Sequence, residues 1–223
     1  NIKIFDTFRS AIALETVDGG VIENINIQNI NAVNTGNAIF IRLGHRAGEI
    51  PGVVKNIFIK DVKVQVPFGR PDFNYDMRGP EVDFFHNPFP SSIVGIPGYD
   101  IQNVVLENIE IDYPGRASKG MAYVPLSRLD QVPEKEKSYP EFSVFGELPA
   151  WGFYVRHASG LTFKNIKFTL ANQDFRPAFI FDDVDSLKMA QIKLPDQGKK
   201  EIILHNTRNE QLDNNVKSVA ETL

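Results

Sequence analysis

Hydrophobic and polar residues alternate in short segments along this chain, a pattern typical of β-strands. One seven-residue pattern recurs: a small or polar residue, then an apolar one, any residue, an apolar one, any residue, Asn, Asp or Gln, and usually an apolar residue. Clear copies begin at Asn1, Asn24, Asn56 and Asn103, and weaker copies begin at Gly160 and Ser186. The successive starts are 23, 32, 47, 57 and 26 residues apart.

These spacings predict an all-β, single-stranded parallel β-helix of about six coils. A basic step near 23 residues, lengthened by insertions, is typical of a solenoid in which each coil contacts only its neighbours. A leucine-rich repeat recurs at a similar period, but its leucine signature is absent. The recurring Asn, Asp or Gln predicts a ladder of stacked side chains at a turn.

A second strand accompanies most copies and begins at Ser10, Asn37, Trp151 and Pro177. Alternation in these strands predicts an outward-facing row of charged side chains, formed by Glu15, Arg42, Arg156 and Asp182. Since adjacent strands lie ~4.8 Å apart, neighbouring members of this row could contact one sugar ring.

The predicted domain organisation is a single body over 1–205, interrupted by two long insertions, with a polar cap or tail over 206–223. The insertion at 67–99 is rich in Pro, Gly and aromatic residues, and the one at 114–150 is mixed in charge. Loops of this length without a strand pattern are more often functional or covering than incidental.

Composition narrows the chemistry. The net charge is −4 without a basic block, so nucleic acid is not an expected partner, and no apolar run is long enough to span a membrane. The absence of cysteine excludes disulfides, thiolate nucleophiles and cysteine-based metal sites. We expect no cofactor and no bound metal. The chain opens on a strand-like segment without a signal peptide, which favours a fragment or a processed product.

The segment from Asn1 to Arg46 resembles the polygalacturonase family, glycoside hydrolase family 28, and is most similar to its bacterial branch. The resemblance is carried by Ser10-Ala-Ile-Ala-Leu-Glu-Thr16, the turn Asp18-Gly-Gly20, and Gly36-Asn-Ala-Ile-Phe-Ile-Arg-Leu-Gly-His-Arg46. It continues more weakly to about residue 195. It implies a right-handed parallel β-helix of the pectin-lyase type, hydrolysis of pectic polysaccharide, and a periplasmic or secreted protein.

The family's catalytic motifs are not present in this chain. Its members carry Asn-Thr-Asp, Asp-Asp, Gly-His-Gly and Arg-Ile-Lys in chain order. The first three are missing in the expected form, and Asp182-Asp183 comes too late to match the second. The fourth corresponds to Ala13-Leu14-Glu15, so both substrate-binding cations are replaced. We therefore expect the catalytic aspartates upstream of residue 1, and this C-terminal part to be inactive alone.

Glu15 at the family's lysine position would repel a galacturonate carboxylate and could accept hydrogen bonds from neutral hydroxyls. Recognition of an acidic sugar would then shift to arginines, whose guanidinium binds carboxylates bidentately. This predicts a decorated or less acidic pectin as substrate. The predicted substrate-binding residues are Glu15, Arg42, His45, Arg46 and Arg156, and loop arginines Arg70, Arg78 and Arg116 are further candidates.

Each candidate also has a structural interpretation. Glu15 could simply pair with Arg42, since exposed charge pairs are usually incidental. His45 could cap a turn, and Arg156-His157 could serve structure alone. Asp182-Asp183 could act as paired carboxylates, as in glycosidases, or be a hydrated pair at a turn.

Three functions remain open at this point. The leading one is hydrolysis of a pectic oligo- or polysaccharide by two carboxylates through single displacement. A calcium-dependent pectate-lyase-like enzyme is an alternative, but no dense acidic cluster lies on the predicted cleft. A non-catalytic carbohydrate-binding β-solenoid or adhesin is the third. The sequence leaves the oligomeric state open.

Overall fold

The computed structural model describes residues 1–69, 89–121 and 124–223 of the chain. It is all-β, as predicted, with 57% of residues in strands and 7% in helices. Arg70 and Arg78 lie outside the described residues. In chain order the elements are β1 (Ile2–Thr16), β2 (Val21–Leu43), β3 (Val53–Gln65), β4 (Ser91–Val94), β5 (Ile101–Tyr113), 3-10 segments Lys119–Met121 and Leu126–Gln131, β6 (Phe153–Leu170), β7 (Phe179–Lys193), β8 (Ile202–Arg208), β9 (Gln211–Leu212), α1 (Asn214–Val219) and β10 (Ala220–Thr222).

The strands pair in parallel in one sheet, in the order β1-β2-β3-β5-β6-β7-β8-β10. The short strand β4 pairs with both β2 and β6. The pairings β2-β3-β5-β6-β4-β2 therefore return to their start, and the sheet closes into a five-stranded parallel β-barrel. The predicted open, right-handed parallel β-helix solenoid is wrong.

The closure depends on long strands that each pair with two neighbours. Strand β2 pairs with β3 through its first half and with β4 through Phe40–Arg42. Strand β6 pairs with β4 through its first residues and with β5 further along. The sequence pattern missed this because β4 is only four residues long and lies inside the insertion predicted as a loop over 67–99.

The predicted polar ladder at the recurring Asn, Asp or Gln is confirmed by hydrogen bonds between register neighbours. Asn108 donates to Asp61 and Asn165 donates to Asn108, both at 2.8 Å. A further ladder, which was not predicted, lies five residues earlier along each strand, where Asn56 Nδ2 donates to Asn24 Oδ1 at 3.1 Å and Asn103 Nδ2 donates to Asn56 Oδ1 at 3.0 Å. The copy that begins at Asn1 has a different register. Ile2 pairs with Ile30, so Asn1 stands opposite Asn29 and not opposite Asn24.

The ladder residues bend the strands because their backbone is left-handed. Asn24, Asn56 and Asn103 have φ of 57°, 56° and 54°, a region that Asn tolerates better than other non-glycine residues because its short side chain bonds locally. Gly160 continues the row with φ 69°, and a Cβ there would lie 2.4 Å from Asn103 Oδ1. Glycine is therefore the residue that lets the next strand approach.

Two hydrophobic clusters hold the sheet together. The interior cluster is aliphatic along β2, β3 and β5 and becomes aromatic along β6 and β7, where the rings of Phe179 and Phe181 stack with centroids 5.8 Å apart. The second cluster lies on the outer face, where residues 124–150, here called the cover loop, pack on Phe40, Tyr154 and Ile180. The insertion predicted at 114–150 thus contributes a cover over one face of the sheet.

The C-terminal residues add short elements beside β7 and β8. Asp213 caps α1 by accepting a hydrogen bond from the Val216 amide at 2.9 Å, and β10 then pairs with β8. Within the ranges that the structure describes, no helix combines the length and apolar character needed to cross a membrane.

Candidate functional site

The charged row predicted from the second strands is present in the register of the sheet. Glu15 stands opposite Arg42, and Arg156 stands opposite Asp182. Between these pairs β4 inserts Val94, and beyond Asp182 the row continues to His205 on β8. The cover loop runs along this row. The burial and the partners of each predicted residue therefore depend on how the loop contacts it.

Arg42 is buried beneath the cover loop and serves the structure. It is 1% exposed, and its guanidinium donates to the carbonyl oxygens of Gly95 at 2.8 Å and of Glu134 at 2.8 Å. The same guanidinium lies 4.9 Å from the centroid of the Phe145 ring, a cation–π contact. The prediction that Arg42 lines an exposed substrate cleft does not agree with this burial.

Glu15 lies half-buried beside a second carboxyl group and a guanidinium. Burial and, to a smaller extent, the nearby carboxylate of Glu141 raise the pKa of Glu15 to about 7, although Arg9 opposes the shift. Glu141 is 1% exposed, and its Oε2 lies 3.0 Å from Arg9 Nη2. This shift brings protonation of Glu15 into the neutral pH range, and the protonated carboxyl group can donate a hydrogen bond.

A β-bulge in β1 brings Arg9 to this place. The register shifts between Thr7 and Ser10, so one extra residue of β1 lies opposite Gly36. A Cβ at Gly36 would lie 1.8 Å from the Phe8 carbonyl oxygen. Within the bulge, the Phe8 ring packs edge-on against Phe142 of the cover loop with centroids 5.4 Å apart. The bulge thus turns two successive side chains toward the loop.

His45 and Arg46 follow β2 on an exposed turn. The imidazole Nε2 of His45 lies 3.1 Å from the Gly48 carbonyl oxygen, in agreement with the turn-capping interpretation. Arg46 binds Asp18 through two hydrogen bonds of 2.9 and 2.5 Å and lies 5.9 Å from the Tyr139 ring centroid. Arg46 is exposed and already neutralised by Asp18.

Arg156 belongs to the acid–histidine cluster, which consists of Glu134, Arg156, His157, Asp182, Asp183 and His205. Its guanidinium lies 2.8 Å from Glu134 Oε1 and 3.2 Å from Asp182 Oδ2, and it donates to the Val132 carbonyl oxygen at 2.9 Å. Asp182 also accepts from His205 at 2.7 Å. The cluster ties the cover loop to three adjacent strands.

His157 occupies the centre of this cluster, between two carboxylates. Its Nδ1 lies 2.7 Å from Asp183 Oδ2, and its Nε2 lies 3.2 Å from Glu134 Oε2. Burial lowers the pKa of His157, but the hydrogen bonds to Glu134 and Asp183 outweigh burial and raise it. Because both ring nitrogens face acceptors, the doubly protonated imidazolium is the form that this environment favours.

The pKa of Glu134 shifts in the opposite direction from that of His157. Burial raises its pKa, but the hydrogen bond to His157 and the charges of Arg156, His157 and Arg42 outweigh burial, and the pKa is lowered overall. A carboxylate and an imidazolium therefore face each other across the loop–sheet boundary. Over the described ranges, no three His, Asp or Glu side chains lie close enough together to hold a metal ion.

The structure divides the predicted site residues among different places. Glu15 lies with Arg9 and Glu141, whereas Arg156 lies in the acid–histidine cluster. His45 and Arg46 lie on the turn near Asp18, and Arg42 is buried between these regions. The cover loop links these places. Glu134 contacts Arg156, and the Glu136 carbonyl oxygen accepts from the His45 amide. Tyr139 contacts Arg46, and Glu141 contacts Arg9.

Sequence reasoning missed Arg9, Glu134, Glu141 and His205. His205 had a signal: Lys200-Glu-Ile-Ile-Leu-His205 repeats the strand Pro177–Asp182 after 23 residues. Arg9 could not be found, because a bulge reverses the alternation on which the outward row was predicted. Glu134 and Glu141 belong to a loop whose path no periodicity describes.

Comparison with known proteins adds no relative. No family model matches the chain, and neither a curated protein nor a solved structure is significantly similar to it.

Proposed function

We propose that this chain is part of a glycoside hydrolase acting on pectic polysaccharide, and that it contributes a sugar-binding site around Glu15. The observation that carries the proposal is the proximity of three charged groups: half-buried Glu15 is influenced electrostatically by buried Glu141 and by Arg9, and Arg9 Nη2 lies 3.0 Å from Glu141 Oε2. Glu15 also occupies the position that corresponds to a substrate-binding lysine in the polygalacturonase family.

The chemistry of these groups suits a partly acidic sugar chain. A carboxyl group with a pKa of about 7 donates a hydrogen bond when protonated and accepts from sugar hydroxyls when ionised. Arg9 is paired with Glu141, and its side chain is 34% exposed, so solvent and a ligand can approach the guanidinium. It is a cation close enough to Glu15 to oppose the rise of that carboxyl group's pKa, and a guanidinium can bind a uronate carboxylate.

The closed barrel changes what supports the proposal. The family resemblance implies an open β-helix, and the strand pairings contradict that fold. Support for the proposal therefore comes from the residues of β1 and β2 between Ser10 and Arg46 and from the chemistry around Glu15. Single-displacement hydrolysis requires two carboxyl groups ~6.5–9.5 Å apart on opposite sides of the glycosidic bond. We place those catalytic groups upstream of residue 1, and Glu15 in substrate recognition.

The test is to incubate the full-length protein with polygalacturonate and with branched pectin, and to analyse the products by mass spectrometry. Hydrolysis adds water and gives saturated ends, whereas a lyase gives unsaturated ends. We expect saturated products and faster cleavage of the branched substrate. Unsaturated products would overturn the proposal, and binding without any cleavage would favour a carbohydrate-binding protein.

Site variants test the role of Glu15. Glu15→Gln keeps the shape but removes the charge, so we expect the preference for branched pectin over polygalacturonate to fall about tenfold, the effect of ~1.4 kcal/mol. Glu23→Gln is the matched control, because Glu23 is an exposed carboxylate that pairs with Lys55 away from this site. Equal effects of both substitutions would contradict a specific role for Glu15.

A further inference from the structure

A groove of about 390 Å³ lies where successive strands turn, and its wall includes Tyr99, Asp100, Gln102, Asp183, Asp185 and Arg208. We propose that this groove binds a neutral oligosaccharide. The inference goes beyond the proposed function, since the groove shares no residue with the Glu15 site and would stand if that site bound nothing. The groove combines an exposed aromatic ring, polar side chains that can form hydrogen bonds, and a net negative charge.

Tyr99 presents an aromatic ring on a rigid turn. It is 47% exposed, and its backbone exchanges two hydrogen bonds with Ile96, of 3.2 and 2.9 Å. Gly98 supplies the left-handed residue of this turn, with φ 79°. A large exposed ring on a fixed backbone loses little conformational freedom on contact with a ligand, and its face suits the apolar C–H face of a pyranose.

Polar groups beside the ring can bind hydroxyls. Across the described residues, no hydrogen bond or ion pair engages the side chains of Asp100 or Gln102. Asp183 is 49% exposed although it accepts a hydrogen bond from His157. Carboxylates accept and side-chain amides both donate and accept, and these are the groups that fix sugar hydroxyls in binding sites lined by apolar and aromatic surface.

The charge of the groove selects against acidic sugars. Asp100, Asp183 and Asp185 contribute three carboxylates, and Arg208 contributes one guanidinium, which already lies 3.4 Å from Asp185. A uronate would meet a net negative surface. A metal ion is not favoured either, because these carboxylates do not converge on one point with a third ligand among the described residues. An uncharged sugar is the ligand that the groove suits.

The experiment is isothermal titration of the protein with galactotetraose, cellotetraose and xylotetraose, and with trigalacturonate as the acidic comparison. We expect at least one neutral tetraose to bind. We expect Tyr99→Ala to weaken that binding about tenfold, and Tyr99→Phe, which keeps the ring, to change it less than about threefold. Phe5→Ala is the matched control, because Phe5 is also an exposed ring (60%) but lies on β1, away from the groove.

Substitutions that change the charge of one site at a time distinguish the groove from the Glu15 site. Asp100→Lys should strengthen trigalacturonate binding, whereas Glu15→Gln should leave binding of the neutral tetraose unchanged. The inference fails if no neutral tetraose binds, if Tyr99→Ala and Phe5→Ala have the same effect, or if trigalacturonate competes for the groove as strongly as the neutral sugar. Circular dichroism of each variant verifies that it is folded. Loss of neutral-sugar binding in Glu15→Gln would instead assign that ligand to the Glu15 site.

Discussion

Arg156 on β6 and Glu134 in the cover loop form an ion pair with Nη2 and Oε1 2.8 Å apart. The side chains are 14% and 27% exposed, so the pair is partly shielded from water. Arg156 also faces Asp182 on the next strand. One guanidinium thus neutralises a loop carboxylate and a strand carboxylate together, so we expect its loss to cost more than the loss of an exposed ion pair.

Removal of Arg156 should destabilise the protein strongly. In Arg156→Ala, Asp182 remains buried without its guanidinium partner and keeps, among the described residues, the hydrogen bond to His205, and we expect a loss of about 3 kcal/mol in the free energy of unfolding. Urea denaturation measures this loss. Lys60→Ala is the control, because Lys60 forms a more exposed pair with Glu107 and should cost less than about 0.5 kcal/mol. Similar losses in both variants would contradict the role given to Arg156.

The acid–histidine cluster should make stability depend on pH. Because the folded-state pKa of His157 is raised, its contribution is complete below the unfolded pKa of about 6.5 and is lost as pH rises through the folded value. Glu134 has a lowered pKa, so its contribution is present above an unfolded pKa of about 4.3 and is lost as pH falls through the folded value.

The two shifts together predict maximal stability of this contact between about pH 5 and pH 6.5. Melting temperatures measured across pH 4 to 9 test this, and His157→Gln should flatten the fall on the alkaline side. His45→Gln is the control, because His45 lies on an exposed turn with a carbonyl as its ring partner. An unchanged alkaline slope in His157→Gln would show that other groups determine it.

Glu15 should destabilise the protein as it ionises. Its folded pKa of about 7 lies above the unfolded value of about 4.3, so stability falls as pH rises between these values. Glu15→Gln should therefore raise the free energy of unfolding at pH 8, on the order of 1 kcal/mol after allowance for the exposed part of the side chain. At pH 4 we expect no change. A variant equally stabilised at both pH values would contradict this.

Substitution of Arg42 should destabilise the protein much more than substitution of Arg46, because Arg42 is buried and Arg46 is exposed. We expect Arg42→Ala to lower the free energy of unfolding by about 3 kcal/mol, because three carbonyl oxygens lose a buried donor and Phe145 loses its cation. Arg46→Ala should cost much less than Arg42→Ala, since the pair that Arg46 forms with Asp18 is exposed. Chemical denaturation of both variants measures the difference. Equal costs would place Arg42 nearer the surface than its burial indicates.

The asparagine ladder allows its two contributions to be measured apart. Asn56→Gly keeps the left-handed backbone and loses the hydrogen bonds to Asn24 and Asn103. Asn56→Ala loses the bonds and also strains the backbone at φ 56°. We expect alanine to cost about 1 kcal/mol more than glycine. Thermal denaturation tests this, and equal stability of the two variants would show that the left-handed backbone carries no cost.

The sequence predicted the strands and one polar ladder better than it predicted the closure of the barrel. The copies at Asn24, Asn56 and Asn103 share one register, and the outward row from Glu15 to Asp182 follows the strands as predicted. Both follow from a period of two residues, which the chain encodes locally. Barrel closure depends on β4, a four-residue strand whose only signal, Ser-Ser-Ile-Val, is too short to distinguish from loop.

The candidate site could be predicted only in part for a related reason. Periodicity gives the face on which Arg42 lies, but it does not reveal that a loop more than 80 residues later covers that face. The same limit applies to Glu141, which meets Arg9 only because the cover loop folds back over β1. Such contacts depend on the path of the cover loop, which has no repeat.

The bulge at Phe8 and Arg9 has a consequence for how this surface could change over generations. A single inserted codon is the smallest difference between a uniform strand and one that turns Arg9 toward Glu141, provided that Gly36 stays opposite it. Deletion of that codon would restore regular pairing and erase the guanidinium from the Glu15 site without disturbing the interior aromatic stack. Loss of this guanidinium therefore requires the deletion of only one codon.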